Sequence, residues 1–313
     1  MKQWKARIIK LVDKFGHKTA RVADAIVLPG FAGLSLLKVA SHFWNAITQG
    51  AVDIRAGAVA YSFFLAVFPT ILFLFTLIPY IPIEGFQTEL MALMQDVMPQ
   101  KIFNLVENTI VDIARHKRGS LLSIGFAAAL IFSTNGVNTL IGAFNETVNS
   151  FETRNWLERR AISLLIVILL SLLLSIAIGM IIFSEKIINF LVASNILQDD
   201  FTIYMLLFGR WIVIIALFYF AVSFLYYLAP SRHAEFKFFS PGNTLATILG
   251  ILSSMGFSFY INNFSRYNTL YGSIGTLIIL LLWFYINALV LLVGFELNAS
   301  ILNAKKQHSE DLT

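Results

Sequence analysis

Six stretches of this chain contain no Asp, Glu, Lys or Arg: Ala56–Ile83, Gly119–Asn145, Ala161–Ser184, Trp211–Ser231, Phe238–Ser265 and Tyr267–Phe295. A helix needs about 20 residues to cross roughly 30 Å of hydrocarbon, so each stretch suffices for one crossing. Composition supports a membrane reading, because 58% of residues are hydrophobic and only 13% charged, where a soluble domain carries about 25% charged residues. The expected fold class is therefore all-α: a polytopic integral membrane protein with six transmembrane helices, interfacial N-terminal helices and a small extracytoplasmic helical loop. The spans fall near residues 57–81, 121–143, 161–184, 204–229, 241–263 and 272–298.

Residues 1–55 read as a basic amphipathic region at the cytoplasmic face. Trp4, Ile8, Leu11, Val12 and Phe15 recur at helical spacing with Lys2, Lys5, Lys10, Lys14 and Lys18 between them, a pattern suited to an anionic membrane surface. A cleaved signal peptide fits poorly, since Pro29, Gly30 and Gly33 interrupt the first apolar run. A second interfacial helix is expected over Leu34–Ile47. With the N-terminus inside, 16 of the 23 basic residues fall on the cytoplasmic side, so both termini, including a tail at 304–313, are expected in the cytoplasm. Residues 84–118 then form the largest extracytoplasmic loop. The chemistry of the 265–272 segment predicts a tight hairpin between the last two spans.

Polar and helix-breaking residues inside the spans are the candidate site. Pro69 lies midway along the first span, where it removes a backbone donor and frees the carbonyl of Leu65; it reads either as a packing kink or as the border of a substrate path. Asn135 and Asn138 share a face of the second span, Asn287 lies inside the sixth, and Glu296 follows a long uncharged run. Amides in spans often bridge helices, whereas an ionisable group at membrane depth points to function. Pro69, Asn135, Asn138, Asn287 and Glu296 are thus the substrate-path candidates, and one cavity joining Pro69 to Glu296 is the sharpest expectation. Arg154, Arg159 and Arg160 are candidates for holding an anionic head group, or else anchors of orientation. Gly272, Gly275, Gly294 and Ala299 are expected to let helices approach closely.

Enzyme chemistry finds little support. The five histidines are scattered, cysteine is absent, and neither a metal-binding HExxH, a Walker loop nor a GxSxG elbow occurs. No catalytic residue, no metal and no cofactor is expected.

The segments GAVAYSFFLAVFPTIL (57–72), NTLIGAFNETVNSFETRNWLERR (138–160), FLYYLAP (224–230) and SPGNTLATILGILSSMGFSFYINNFSRYNTLYGSIGTLIILLLWFYINALVLLVGFELNAS (240–300) resemble the YihY/BrkB family of bacterial inner-membrane proteins. The resemblance covers most of residues 50–303 and implies six spanning helices in the bacterial cytoplasmic membrane. Members of that family have been linked to serum resistance, and some bear the name ribonuclease BN. The residues argue against a nuclease, because the loops between spans offer only Glu146, Glu152, Glu158 and Glu235, too dispersed to hold catalytic ions. The expected function is movement of a lipid or of an amphipathic or anionic solute, with a non-transporting envelope scaffold as the rival. Expected partners are membrane lipids and a second copy of the chain or an envelope protein; nucleic acid is not expected.

Overall fold

The computed structural model describes residues 27–28, 30–80, 118–147, 154–194, 200–231, 237–264 and 273–310. The amphipathic segment 1–20, nearly all of the 84–118 loop and the 265–272 hairpin lie outside the described residues. Those residues contain seven α-helices and no strand. They are α1 (Leu36–Gln49), α2 (Val52–Leu77), α3 (Gly119–Thr147), α4 (Trp156–Ala193), α5 (Asp200–Leu228), α6 (Pro241–Phe264) and α7 (Ser273–Glu310).

Local chemistry marks several ends. Ser35 caps α1 by accepting from the Lys38 amide at 3.3 Å, and Asn155 opens α4 with a capping box in which its side chain accepts from Glu158 N at 2.9 Å. Reciprocal bonds of this kind satisfy amides that have no partner within the helix. Pro241 occupies the first position of α6, where its missing N–H is harmless. α2 passes through Pro69 without interruption, and a 3-10 turn at Ile78–Tyr80, containing Pro79, follows its end.

Five helices are long and apolar enough to cross a membrane, over Val52–Leu74, Gly119–Thr147, Trp156–Ile181, Tyr204–Leu228 and Leu277–Glu310. α6 stands where the sequence placed a span, and its 24 residues make about 36 Å of helix. Asn243, Ser253 and Ser254 dilute its hydrophobicity, and it is not among the five.

Helices adjacent in sequence pack against each other from α3 through α7, and α2 packs on both α3 and α7, closing a ring of six. α1 lies outside the ring against α7, where Phe31, Leu34 and Val39 bury against Ile301 and Ala304. The main core draws on all six ring helices, yet its residues concentrate at one end: the starts of α2 and α6, the ends of α3 and α5, and the later part of α7. Phe144, Tyr226 and Phe295 meet there, with the Phe144 and Phe295 rings stacked at 4.2 Å and Tyr226 edge-on to both. Small residues bring the backbones together: a Cβ on Gly294 would lie 2.6 Å from the Ala246 methyl. Gly294 thus acts as the sequence predicted and Ala299 is buried, while Gly242 is a further contact point at the start of α6, where an added Cβ would overlap the Gly294 carbonyl.

Candidate functional site

The packed end holds an ion pair cut off from water. Arg55, in the first turn of α2, donates from Nη2 to Glu296 Oε1 of α7 at 2.6 Å, and the two side chains are 7% and 3% exposed. Thr147, the last residue of α3, donates to the same carboxylate oxygen at 2.9 Å. Arg55 Nη1 donates to the Ala143 carbonyl at 2.9 Å and to Thr147 Oγ1 at 2.6 Å. Three helices therefore share one charged cluster. Added hydrogen bonds of this kind offset part of the cost of burying the pair, while Arg55 Nε is left buried without a protein acceptor.

A neutral network lies beside it. Asn298 Oδ1 accepts from Gly242 N at 2.8 Å, and Asn298 Nδ2 donates to Asn243 Oδ1 at 3.1 Å. Asn243 Nδ2 in turn donates to Ser223 Oγ at 2.8 Å and to the Phe238 carbonyl at 2.6 Å. These bonds tie α5, α6 and α7 together by side chains whose alternative in a dry interior is an unsatisfied dipole.

The residues singled out from the sequence do not form one site. Glu296 meets Arg55, and fourteen residues of α2 separate Arg55 from Pro69, about 21 Å of helix. The expected cavity joining Pro69 to Glu296 is therefore corrected to two distant positions. Asn287 donates to the Trp283 carbonyl of its own helix at 2.8 Å, and Asn138 is half-buried in α3. Asn135 is brought to Arg160, whose Nη1 donates to its Oδ1 at 2.6 Å. Arg154 turns inward and donates to the carbonyls of Ala229, Leu228 and Pro230, closing the end of α5. Arg159 is half-buried in the first turn of α4. Arg55 and Thr147 were missed by sequence reasoning, which read Arg55 as one of many basic residues before the first span.

Two cavities accompany this framework, and none of the eight predicted site residues lines either. The larger, about 730 Å³, lies between α4, α5 and α6, from Leu170 to Ile181, Trp211 to Ala221 and Gly250 to Met255. Its walls are apolar except for Ser254 and the Trp211 ring nitrogen. It begins one residue from the core member Val222 and ends at Trp211. There the Arg210 guanidinium sits 5.8 Å from the Trp211 ring centre and donates to Ser184 Oγ at 3.2 Å. Arg210 Nε is buried without a protein acceptor. The smaller cavity, about 370 Å³, opens at the opposite end between the 28–33 turn, residues 237–241 and α7. Among the described residues no three His, Asp or Glu side chains group as metal ligands would.

Comparison with known proteins identifies the family. The "Putative ribonuclease-like protein YfkH" of Bacillus subtilis is 30% identical over 257 residues, covering 82% of this chain and 92% of that protein. The "UPF0761 membrane protein NTHI0384" of Haemophilus influenzae is 24% identical over 269 residues, 86% of this chain and 96% of that one. A "UPF0761 membrane protein" of Vibrio campbellii is 36% identical over 106 residues, a third of either chain. No solved structure matches. The family model described as "Virulence factor BrkB" matches residues 43–312, which takes in every described helix but the start of α1, and the chain belongs to that family of membrane proteins.

Proposed function

We propose that this membrane protein moves, or helps to move, a lipid or an amphipathic anionic solute. The observation that carries the reading is the cavity between α4, α5 and α6: about 730 Å³ with almost wholly apolar walls, ending where Arg210 stands. That volume is in the range of cavities that enclose small-molecule ligands. An acyl chain would find dispersion contacts along the walls, and an acidic head group a guanidinium at the mouth. In the same reading α6 is the sixth span, and both termini lie in the cytoplasm of a bacterial inner membrane, the side favoured by the basic residues. The packed end, closed by the Arg55–Glu296 pair and the aromatic cluster, acts as the barrier on that side.

Reconstitution in vesicles tests it. A fluorescent phospholipid placed in both leaflets is quenched from outside by an impermeant reductant, and the protein should raise the quenched fraction above one half. Ala177→Trp and Ser254→Phe fill the cavity from two walls and should abolish the gain. Wild-type protein that leaves the quenched fraction of zwitterionic and acidic lipids unchanged sinks the lipid reading and favours the scaffold role.

A further inference from the structure

We infer that the smaller cavity is a binding site for a phosphate-bearing anion, held between Lys237 and Lys305. This deepens the proposed function by naming a head-group site at the packed end, but it is tested by binding and not by movement.

The cleft has three walls. One is the turn containing Leu28, Gly30, Ala32 and Gly33; the second is the segment Lys237–Pro241 leading into α6; the third is the α7 face with Asn298, Ile301, Leu302 and Lys305. The turn is fixed by geometry. Gly30 adopts φ +90°, a left-handed conformation that suits glycine, and a Cβ there would stand 2.8 Å from Pro241 Cγ, so the turn rests directly on the start of α6. The cleft is thus formed before any ligand arrives.

Its polar floor is already occupied. Asn298 Oδ1 accepts from Gly242 N, Asn298 Nδ2 donates to Asn243 Oδ1, and Ser240 Oγ donates to that same oxygen at 2.5 Å. The first amides of α6 are taken as well, since Pro241 has none, Gly242 N bonds Asn298, and Asn243 N bonds Ser240 Oγ at 3.4 Å. The helix start is consequently not the anion-binding element. What remains is a pair of ammonium groups on facing walls. Lys237 and Lys305 are both exposed, and neither has an ion-pair partner among the described residues. Two like charges sharing one cleft repel, and an anion between them reverses the sign of that interaction.

The remaining walls choose among anions. Leu28, Phe239, Ile301 and Leu302 give apolar surface that suits the glycerol and upper acyl part of a lipid. Depth agrees: the α7 wall of the cleft, Asn298 to Lys305, begins 25 residues beyond Ser273, about 38 Å along α7, past roughly 30 Å of hydrocarbon and within the roughly 40–45 Å that includes the head groups. The pairing of lysines with apolar walls at this depth fits a phospholipid of net negative charge; the phosphate it shares with the inorganic ion is what the lysines would hold.

The test uses the full chain in detergent micelles, with bound lipid counted by native mass spectrometry. Phosphatidylglycerol should bind more tightly than phosphatidylcholine, and K237Q/K305Q should lose about thirty-fold in phosphatidylglycerol affinity, the effect of two lysines near an acidic surface. K237R/K305R should retain it. K38Q/R118Q removes the same charge from residues that do not line the cleft and should also retain it. Inorganic phosphate that displaces the lipid at millimolar levels identifies the free anion as a ligand of the same lysines; phosphate that does not assigns the site to lipid. Both support the site. Equal binding of the two lipids, equal affinity of K237Q/K305Q and wild type, or equal loss in K38Q/R118Q overturns it. Because Ala177→Trp acts on the other cavity, lost movement with intact phosphatidylglycerol binding would separate failure of either idea from failure of both.

Discussion

Replacing Glu296 by Ala should be among the most damaging single changes in this protein, and the structure gives its size. The substitution removes the acceptor of Arg55 Nη2 and of Thr147 Oγ1 and leaves a guanidinium that is 7% exposed. Breaking a buried pair from one side is destabilising by about 3–5 kcal/mol, because the surviving charge stays dry and uncompensated. Thr147→Val removes a donor to the carboxylate and an acceptor of Arg55 Nη1 and should lose at least about 1.5–3 kcal/mol, the size of one hydrogen bond to a charged group. Arg55→Met with Glu296→Leu removes both charges and keeps apolar volume, so the double variant should lie closer to wild type than Arg55→Met or Glu296→Leu alone, the two singles that complete the cycle. Unfolding in mixed micelles of rising sodium dodecyl sulfate, followed by tryptophan fluorescence, reads each value. The cycle should show non-additivity of at least about 2 kcal/mol. Additive losses, or single variants within about 1 kcal/mol of wild type, would refute the claim that the pair is dry and coupled.

Other outcomes follow from the packing. Gly294→Ala would raise helix propensity by about 1 kcal/mol in isolation, yet its methyl would stand 2.5 Å from Tyr226 Oη and 2.6 Å from the Ala246 methyl; a net loss of about 1–3 kcal/mol in the same unfolding assay is expected. Arg154→Gln uncovers the carbonyls at the end of α5 and should destabilise by about 1–2 kcal/mol, while leaving acidic-lipid binding unchanged. A reporter active only outside the cytoplasm, fused after Thr313, should stay silent; activity there would reverse the proposed orientation.

Most helix positions were legible because charge-free length is a local property. Helices stand on all six charge-free stretches, five of them long and apolar enough to cross a membrane, with α5 running unbroken through Arg210 as read. The close contact at Gly294 was legible for the same reason, since a glycine within a long apolar run is visible in one segment. The site was not. In the sequence Asn243 and Asn298 are only amides near span ends, and their bond across α6 and α7 depends on how far each helix slides along its neighbour. Arg55 could have been found by a rule on topology. With an even number of spans, the start of the first and the end of the last lie on one side, so a lone cation flanking one and a lone carboxylate flanking the other are natural partners. The inward turn of Arg154 was not legible, because charge alone does not tell an arginine facing solvent from one turned toward a helix end.

The Arg55–Glu296 pair also sets an order of events during synthesis. Its members are 241 residues apart, so at about 5–20 residues per second the carboxylate leaves the ribosome roughly ten to fifty seconds after the guanidinium. Throughout that interval α2 is in the bilayer with its partner helix unmade, and the long arginine side chain can wait only by reaching for the head groups. Arrival of α7 draws it inward and closes the ring between the first and last ring helices. Insertion of the first helix is provisional until the last one docks, and a chain stalled before α7 carries an unpaired cation at the membrane edge, a mark by which a quality-control protease could tell it from the finished protein.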